Sequence, residues 1–431
     1  MTTLAEEAAL AGAAEAPANR RVIVALVATY VLYAVLLNSV GTVILQAVRT
    51  FGVGKGEASL LEGCKDLSIA GVSFLLASSL PRIGYRRALV AGLLALAAAC
   101  AAMPLVASFW MTALAFLVTG ATFGLAKVAV YGGIGLVAAE PRRHASLTSL
   151  VEGLFVAGVV GGYWLFAAFI PAEGSGGAGW LDVYWVLAVA SVAVAGLWLF
   201  TPLDERRLHG SEGGAGASFA AMLALLLRPF VGVFLLCAFL YVLIEQSLGS
   251  WMPTFNHEVL KLSPQLSVQL ASVYAASLCL GRLGGSAVLR RFSRFTVLYA
   301  CVAGMAALLA LALAATRGLG ARPVEAWAQL PPQALILPAI GLLMSVIYPT
   351  LNSVVLSALP VERQAGMTGL IVVFSALGGT LGSFLTGRAF AAFGGREAVA
   401  GALIPIALLF AGLIALSRLT HRGPPSPRAR A

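Results

Sequence analysis

The chain of 431 residues is 60% hydrophobic and only 11% charged, with a mean hydropathy of +0.93. Soluble domains carry about 25% charged residues, so this composition excludes a water-soluble globular protein and indicates one embedded in a lipid bilayer. The net charge of +10 would also suit a nucleic-acid-binding protein, unless the basic residues lie in the loops between membrane spans.

Apolar runs of about 20 residues, bounded by charged or turn residues, predict membrane-spanning segments along the whole chain. Only helices and closed barrels satisfy their backbone hydrogen bonds in lipid, and these runs lack the strict alternation of barrel strands. We therefore predict an all-α membrane protein with twelve transmembrane helices, at residues 22–47, 58–80, 88–108, 111–139, 146–170, 182–202, 229–251, 266–289, 295–316, 334–358, 366–392 and 398–417.

The basic residues orient these helices. With the N-terminus inside, the cytoplasmic segments hold 18 Lys and Arg residues and the opposite loops hold six. Cytoplasmic loops of membrane proteins carry this excess, so we expect both termini in the cytoplasm and a multi-pass protein of the cell inner (plasma) membrane. The asymmetry explains the net charge without a nucleic-acid partner.

The remaining segments predict the domain organisation. Residues 1–20 form a cytoplasmic tail without the basic start and apolar core of a cleaved signal peptide. The Gly-rich stretch 204–228 is a cytoplasmic linker that divides the spans into six-helix bundles at 21–203 and 229–417. Residues 418–431 are rich in Pro and Arg and are expected to be disordered and cytoplasmic.

The sequence contains no motif typical of an enzyme. Its five cysteines all fall inside predicted spans, without the paired spacing of a zinc site or a disulfide framework. We find no phosphate-cradling loop, metal-ligand cluster or nucleophile–base signature, and expect neither catalytic activity nor a metal or cofactor.

The second span begins with a triplet of charges, Glu62, Lys65 and Asp66. The residues between Asp66 and Pro81 cover roughly 21 Å as a helix, which is less than a hydrocarbon core of about 30 Å, so the triplet must lie within the span. The spacing i, i+3, i+4 places the three side chains on one helix face. Two interpretations remain open, a polar pathway through the bundle and an interfacial ion pair that snorkels outward.

Two more charges lie near the middle of their spans. Lys127 in span four and Glu152 in span five are predicted at similar depths, so they could form an ion pair. A lone charge there costs at least about 2.5–3.5 kcal/mol, so a partner or water must offset it. The pair could face a central cavity and act in transport, or it could be a purely structural ion pair that fixes two helices. Glu245 in span seven is a candidate for proton exchange or for hydrogen bonding to the solute; the alternative is an ion-pair partner for Lys65 or another cation.

The cytoplasmic ends of spans two and eight resemble each other. The stretches "LPRIGYRRALV" and "LGRLGGSAVLRRFSR" both place small residues beside a basic cluster. This similarity supports a chain built from two related halves. We expect Arg82 and Arg282, which lie in these stretches, to belong to a gate.

Six plus six helices around a central cytoplasmic linker resemble the major facilitator fold. The stretches "LMSVIYPTLNSVVLSAL", "FLYVLIEQSLGSWMPTF" and "LCLGRLGGSAVLRRFS" further resemble the fucose/proton symporter family, which includes bacterial L-fucose permease. This resemblance covers most of the C-terminal half and is weaker in the N-terminal half. It implies solute–proton transport by alternating access, with the solute held near the membrane midplane.

The sequence departs from that family at its coupling residues. The acid of span one falls near Gly41, which leaves Asn38 as the main polar group there. The acid of span four becomes Lys127 and the amide of span five becomes Glu152. The usual Asp of the loop after span two is absent from "SSLPRIGYRR", so one gating ion pair is expected to be altered.

These patterns predict a proton-coupled transporter, expected to be monomeric, whose partners are a small polar solute, protons and the lipid bilayer. Aromatic rings and amides can bind sugars, and the lysines would also suit a sugar acid. An exporter of lipophilic or cationic compounds and a non-transporting sensor remain alternatives. The candidate solute-binding residues are Asn38, Tyr131, Gln246, Trp251, Tyr348 and Asn352.

Overall fold

The structure is a computed structural model. It describes residues 3–76, 80–138, 140–171, 177–203, 205, 225–317, 323–359 and 361–421. The predicted tail after His421 and most of the predicted linker lie outside these residues.

The described N-terminal half of the chain is helical, and its first predicted span is interrupted at Ser39. Its helices are α1 (Thr3–Asn38), α2 (Val40–Phe51), α3 (Lys55–Ala58), α4 (Leu60–Leu76), α5 (Leu80–Ile83), α6 (Tyr85–Val106), α7 (Phe109–Val137), α8 (Pro141–Phe169) and α9 (Val183–Leu199), with a 3-10 turn at Gly179–Asp182.

The described C-terminal half is also helical. Its helices are α10 (Pro229–Gly249), α11 (Met252–Glu258), α12 (Pro264–Arg291), α13 (Arg294–Ala315), α14 (Ile340–Ser357), α15 (Val361–Phe393), α16 (Gly395–Ala400) and α17 (Leu403–His421), with 3-10 turns at Trp327–Gln329 and Pro332–Leu335. The described residues contain no β-strand; the pairing of Leu262 with Val324 is an isolated bridge.

Local sequence sets several helix starts. The hydroxyls of Ser108, Ser263 and Ser293 each accept a hydrogen bond from the backbone N–H three residues later, at 3.2–3.3 Å. These N-cap bonds satisfy donors that have no partner within the helix. Pro264 follows one such cap, where its missing N–H costs nothing.

Eleven helical stretches of the described chain are long and apolar enough to cross a membrane. The predicted second span, 58–80, is not among them. Its helix α4 has 17 residues and contains Glu62, Lys65 and Asp66, which shorten its apolar part. The prediction of an all-α membrane protein is confirmed.

The chain divides into two compact units, and the division does not follow the linker alone. One unit contains residues 1–52 and 64–213, and the other contains residues 53–63 and 214–431. The boundary after Gly63 lies inside helix α4, so the first turn of that helix packs with the second unit. We call residues 53–63 the inserted segment.

Glycine pairs bring the first and fifth spans of each unit into close contact. In the first unit, Gly158 and Gly162 of α8 face the backbone of α1. In the second unit, Gly378 and Gly382 of α15 face α10, and a Cβ at Gly382 would lie 2.3 Å from the carbonyl oxygen of Leu243. Such small-xxx-small pairs allow helices to approach in membranes.

A second type of glycine contact joins other helices of each unit. In the first unit, a Cβ at Gly120 of α7 would lie 2.2 Å from the carbonyl oxygen of Lys65 in α4. In the second unit, a Cβ at Gly281 of α12 would lie 2.3 Å from the carbonyl oxygen of Leu342 in α14. The helix carrying the triplet is therefore positioned by backbone contact with α7.

Gly281→Ala is expected to destabilise the protein by about 1–3 kcal/mol, because the added methyl group overlaps the backbone of α14. Gly284→Ala is the matched control, since a Cβ there meets nothing within 4 Å. Thermal unfolding of purified protein should show a lowered Tm for the first variant and an unchanged or raised Tm for the second. Equal Tm values would contradict the close contact.

Candidate solute and proton site

A hydrogen-bonded chain of side chains joins three helices of the first unit. The hydroxyl of Tyr131 in α7 donates to Oε1 of Glu152 in α8. The hydroxyl of Tyr30 in α1 donates in turn to the Tyr131 hydroxyl at 3.5 Å. Glu152 and Tyr131 are half-buried, whereas Tyr30 is buried. The carboxylate is therefore held by a neutral donor while part of its surface stays accessible.

Aromatic rings surround this chain. The ring of Tyr30 lies 5.0 Å from that of Phe155, 5.9 Å from that of Phe123 and 6.1 Å from that of Tyr131, measured between centroids. The Tyr30–Tyr131 contact is edge-to-face, a favourable geometry for aromatic pairs. The three helices thus present a carboxylate within an aromatic wall.

Lys127 lies one helical turn before Tyr131 on the same face of α7 and is exposed. It is close enough to Glu152 for their charges to interact. Within the described part of the chain, however, no ion pair within 4.0 Å joins the two, and the carboxylate bonds to Tyr131 instead. The arrangement is a carboxylate bonded to a tyrosine, with an ammonium one helical turn from that tyrosine.

Asn38 lies where the first span is interrupted. Its side-chain amide donates to the carbonyl oxygen of Ala34 at 2.9 Å, and the hydroxyl of Ser39 donates to that of Leu36 at 2.7 Å. Both bonds satisfy carbonyl groups at the end of α1. Asn38 is half-buried, and its solute-binding role stays a prediction.

The three charges of the triplet are buried, although they belong to different units. The exposed fractions of Glu62, Lys65 and Asp66 are 0%, 5% and 9%. Lys65 Nζ lies 3.4 Å from Asp66 Oδ1, and Glu62 Oε2 accepts a hydrogen bond from the hydroxyl of Ser250 at 2.5 Å. This burial is inconsistent with side chains that snorkel outward.

The inserted segment is held by several contacts within the second unit. Lys55 Nζ lies 2.6 Å from Glu258 Oε2 and 5.6 Å from the ring centroid of Phe390. A Cβ at Gly56 would lie 2.8 Å from the Arg388 side chain, and one at Gly63 would lie 3.0 Å from that of Thr380. Glu62 is therefore one of several anchoring groups, so its burial has a structural explanation.

A second polar cluster lies in the second unit. The rings of Tyr241 in α10 and Tyr348 in α14 stack with centroids 5.5 Å apart. The Tyr241 hydroxyl lies 3.2 Å from Glu245 Oε1 and 3.1 Å from the carbonyl oxygen of Met344, and its single proton is donated to one of these two acceptors at a time. The Tyr348 hydroxyl and the Ser375 hydroxyl are 2.9 Å apart. As in the first unit, a tyrosine bonds to a carboxylate.

The sequence matches a known protein family. The family model described as Major Facilitator Superfamily matches residues 26–383. The chain belongs to this superfamily. The predicted major facilitator fold is confirmed, whereas the predicted division into two bundles of six spans stays a prediction.

One relative matches part of the chain in sequence. An uncharacterized MFS-type transporter of Yersinia pestis is 28% identical over 187 residues, which are 43% of this chain. The chain spans only 44% of that relative's length in this match.

Solved structures of low identity share the fold. A bacterial homologue of the human lysosomal transporter Spinster has a TM-score of 0.73 at 15% identity, covering 95% of this chain and 99% of the homologue. The nucleoside transporter NupG has a TM-score of 0.71 at 12% identity, covering 93% of this chain and 99% of NupG. The E. coli fucose:proton symporter FucP has a TM-score of 0.59 at 17% identity, covering 92% of this chain and 98% of FucP. The predicted resemblance to fucose symporters is therefore not confirmed beyond the superfamily.

The other predicted site residues of this transporter differ in accessibility. Gln246 is half-buried, and its side-chain oxygen lies 3.3 Å from the Ser250 hydroxyl, whose shorter contact is with Glu62. Asn352 is half-buried, and its side-chain oxygen has no hydrogen-bond partner among the described residues. Trp251 is fully buried, and its N–H donates to Ser383. This placement gives Trp251 no surface for a solute.

The two predicted gate arginines remain predictions. Arg282 is exposed on α12, close to the contact that Gly281 makes with α14. The side chain of Arg82 lies outside the described part of the structure. No group of three or more His, Cys, Asp or Glu residues that could hold a metal occurs in the described part of the chain.

Sequence reasoning missed several residues of both clusters. Tyr30, Tyr241 and Ser375 were not predicted, because an aromatic or hydroxyl residue in an apolar span usually serves packing. One usable signal was the i, i+4 spacing of Tyr241 and Glu245, which places their side chains together on one helix face.

Ser250→Ala is expected to destabilise the transporter by about 1–3 kcal/mol, because it removes a hydrogen-bond donor from the fully buried Glu62 carboxylate. The exposed Ser353, also in a helix of the second unit, provides the control Ser353→Ala. Thermal unfolding should show a lower Tm for the first variant alone. Similar curves would mean that the Ser250 bond adds nothing to stability.

Proposed function

We propose that this transporter is a secondary active symporter that moves a small polar solute of the sugar or sugar-acid type together with protons. The observation that carries the proposal is the Tyr30–Tyr131–Glu152 chain with Lys127 one helical turn away. Ionisable groups within membrane spans are costly, and they mark solute and proton pathways in transporters.

Glu152 is the proposed proton-binding group. When ionised, it accepts a hydrogen bond from Tyr131 and attracts the Lys127 ammonium. When protonated, it gains an O–H donor and loses that attraction, so Lys127 becomes available to another anion. Protonation thereby changes the donors and charges that a solute meets, which is the differential interaction that coupling requires.

The proposed solute follows from the chemistry of the clusters. Aromatic faces, tyrosine hydroxyls and a carboxylate suit a hydroxylated ring, and Lys127 suits a carboxylate on that ring. Glu245, Gln246, Tyr348 and Asn352 in the second unit offer similar groups. Two proteins of the same fold are named for fucose:proton symport and nucleoside transport, which supports a sugar-containing solute.

An exporter of cationic compounds is the second candidate. The aromatic rings around the Glu152 carboxylate favour it, because aromatic faces attract cations. The neighbouring ammonium of Lys127 opposes it by repulsion. We further propose an inner-membrane location and cytoplasmic termini, on the basis of the uneven distribution of basic residues. The monomeric state stays a prediction.

Glu152→Gln is expected to abolish proton-driven accumulation while leaving solute exchange intact, because the amide cannot release a proton. Counterflow and pH-gradient-driven uptake in proteoliposomes would separate the two activities. Glu140→Gln changes an exposed acid before the same helix and should keep both. Full proton-driven accumulation by Glu152→Gln would show that this carboxylate is not the coupling group.

Lys127→Gln is expected to weaken binding of sugar acids by about ten-fold or more, since a charge-assisted hydrogen bond is worth about 1.5–3 kcal/mol. A thermal-stability screen of the purified transporter against neutral sugars, sugar acids, amino acids and cationic dyes gives the measurement. Neutral sugars should bind both forms alike. Stabilisation by cationic dyes alone, strengthened in Lys127→Gln, would favour the exporter instead.

A further inference from the structure

A groove of about 690 Å³ lies on the first unit, away from the Tyr131–Glu152 chain. It is formed between the start of α6 and the end of α9. Its volume is in the range of sites for small-molecule ligands. The proposed solute site uses none of its residues.

One part of the groove is polar, and most of its hydrogen-bonding groups are bonded to other groups of the protein. Arg86 donates through Nε to the carbonyl oxygen of Trp198 at 2.9 Å and through its terminal nitrogen to that of Leu199. The backbone N–H of Arg86 donates to Glu205 Oε1 at 2.8 Å. These bonds hold α6 against the end of α9, so Arg86 and Glu205 form the rigid base of the groove.

Arg87, unlike Arg86, is available to a ligand. It is exposed on the wall of the groove, and it makes no hydrogen bond or ion pair with any residue that the structure describes. Since the charges of Arg86 and Glu205 offset each other, Arg87 leaves the polar part with a net positive charge. An arginine guanidinium binds phosphate oxygens in pairs.

The rest of the groove is apolar and runs along the membrane span. The wall of the groove extends along α6 through Val90, Ala91 and Leu94, and Leu199 of α9 also lines it. From Arg87 to Leu94 the helix rises roughly 10 Å. Because the span begins at Tyr85, Arg87 lies in its first turn, where a headgroup would meet it.

We propose that this groove binds an anionic phospholipid, with the phosphate on Arg87 and an acyl chain along Ala91 and Leu94. The charge of Arg87 selects an anionic headgroup, and the apolar wall selects a lipid over free phosphate. Basic pockets between spans bind such headgroups in other membrane proteins.

The test is a binding titration of phosphatidylglycerol by native mass spectrometry on the purified full-length transporter. Each basic residue near a membrane surface contributes about 1 kcal/mol, so Arg87→Gln should bind about five-fold more weakly than wild type. Arg143→Gln removes another exposed arginine of the same unit and should bind as wild type does.

A second pair of variants tests the apolar wall. Ala91→Trp fills the groove and should also weaken binding, whereas Ala98→Trp, exposed on α6 outside the groove, should not. All four variants are first compared with wild type by thermal unfolding, so that a folding defect is not read as lost binding.

Parallel titrations with phosphatidylcholine and with inorganic phosphate identify the ligand chemistry. The proposal expects weaker binding of phosphatidylcholine and no competition by inorganic phosphate. Equal binding by Arg87→Gln and Arg143→Gln, equal affinity for phosphatidylcholine, or displacement by phosphate alone would overturn it.

Discussion

An ionised side chain within a membrane span must find a partner or water, because hydrocarbon offers it neither. This constraint accounts for the placement of the charges in the spans of the N-terminal half of the chain. Lys65 and Asp66 lie together, Glu62 binds the Ser250 hydroxyl, and Glu152 binds the Tyr131 hydroxyl. Glu152 differs from the other two acids because its partner is a neutral hydroxyl and part of its surface is accessible.

The charged groups therefore divide into two classes. Glu62 belongs to the inserted segment, which the Lys55–Glu258 ion pair and close glycine contacts hold in the second unit. Glu152 and Glu245 are instead half-buried and bonded to tyrosines. Burial with several anchors indicates a structural role, whereas partial exposure beside a tyrosine hydroxyl is consistent with the proton exchange that we propose for Glu152.

Glycines provide the close helix contacts that position both classes. Gly120 brings α7 against the backbone of α4, and Gly382 brings α15 against α10. Dispersion and weak polar contacts replace the hydrophobic effect between helices in lipid. The sequence shows these glycines plainly, but their spacing does not indicate which neighbouring helix each one meets.

The sequence by itself determined that the chain is a membrane protein of helical spans, because an apolar run of sufficient length has few other stable forms in lipid. It also singled out Lys127 and Glu152, since a charge in such a run is conspicuous. Only the tertiary structure decided that Tyr131 bonds to Glu152, that Tyr30 extends this hydrogen-bonded chain, and that Glu62 belongs to the second unit and bonds to Ser250. These pairings join residues far apart in sequence, and helical periodicity gives the face of each helix but not its neighbour.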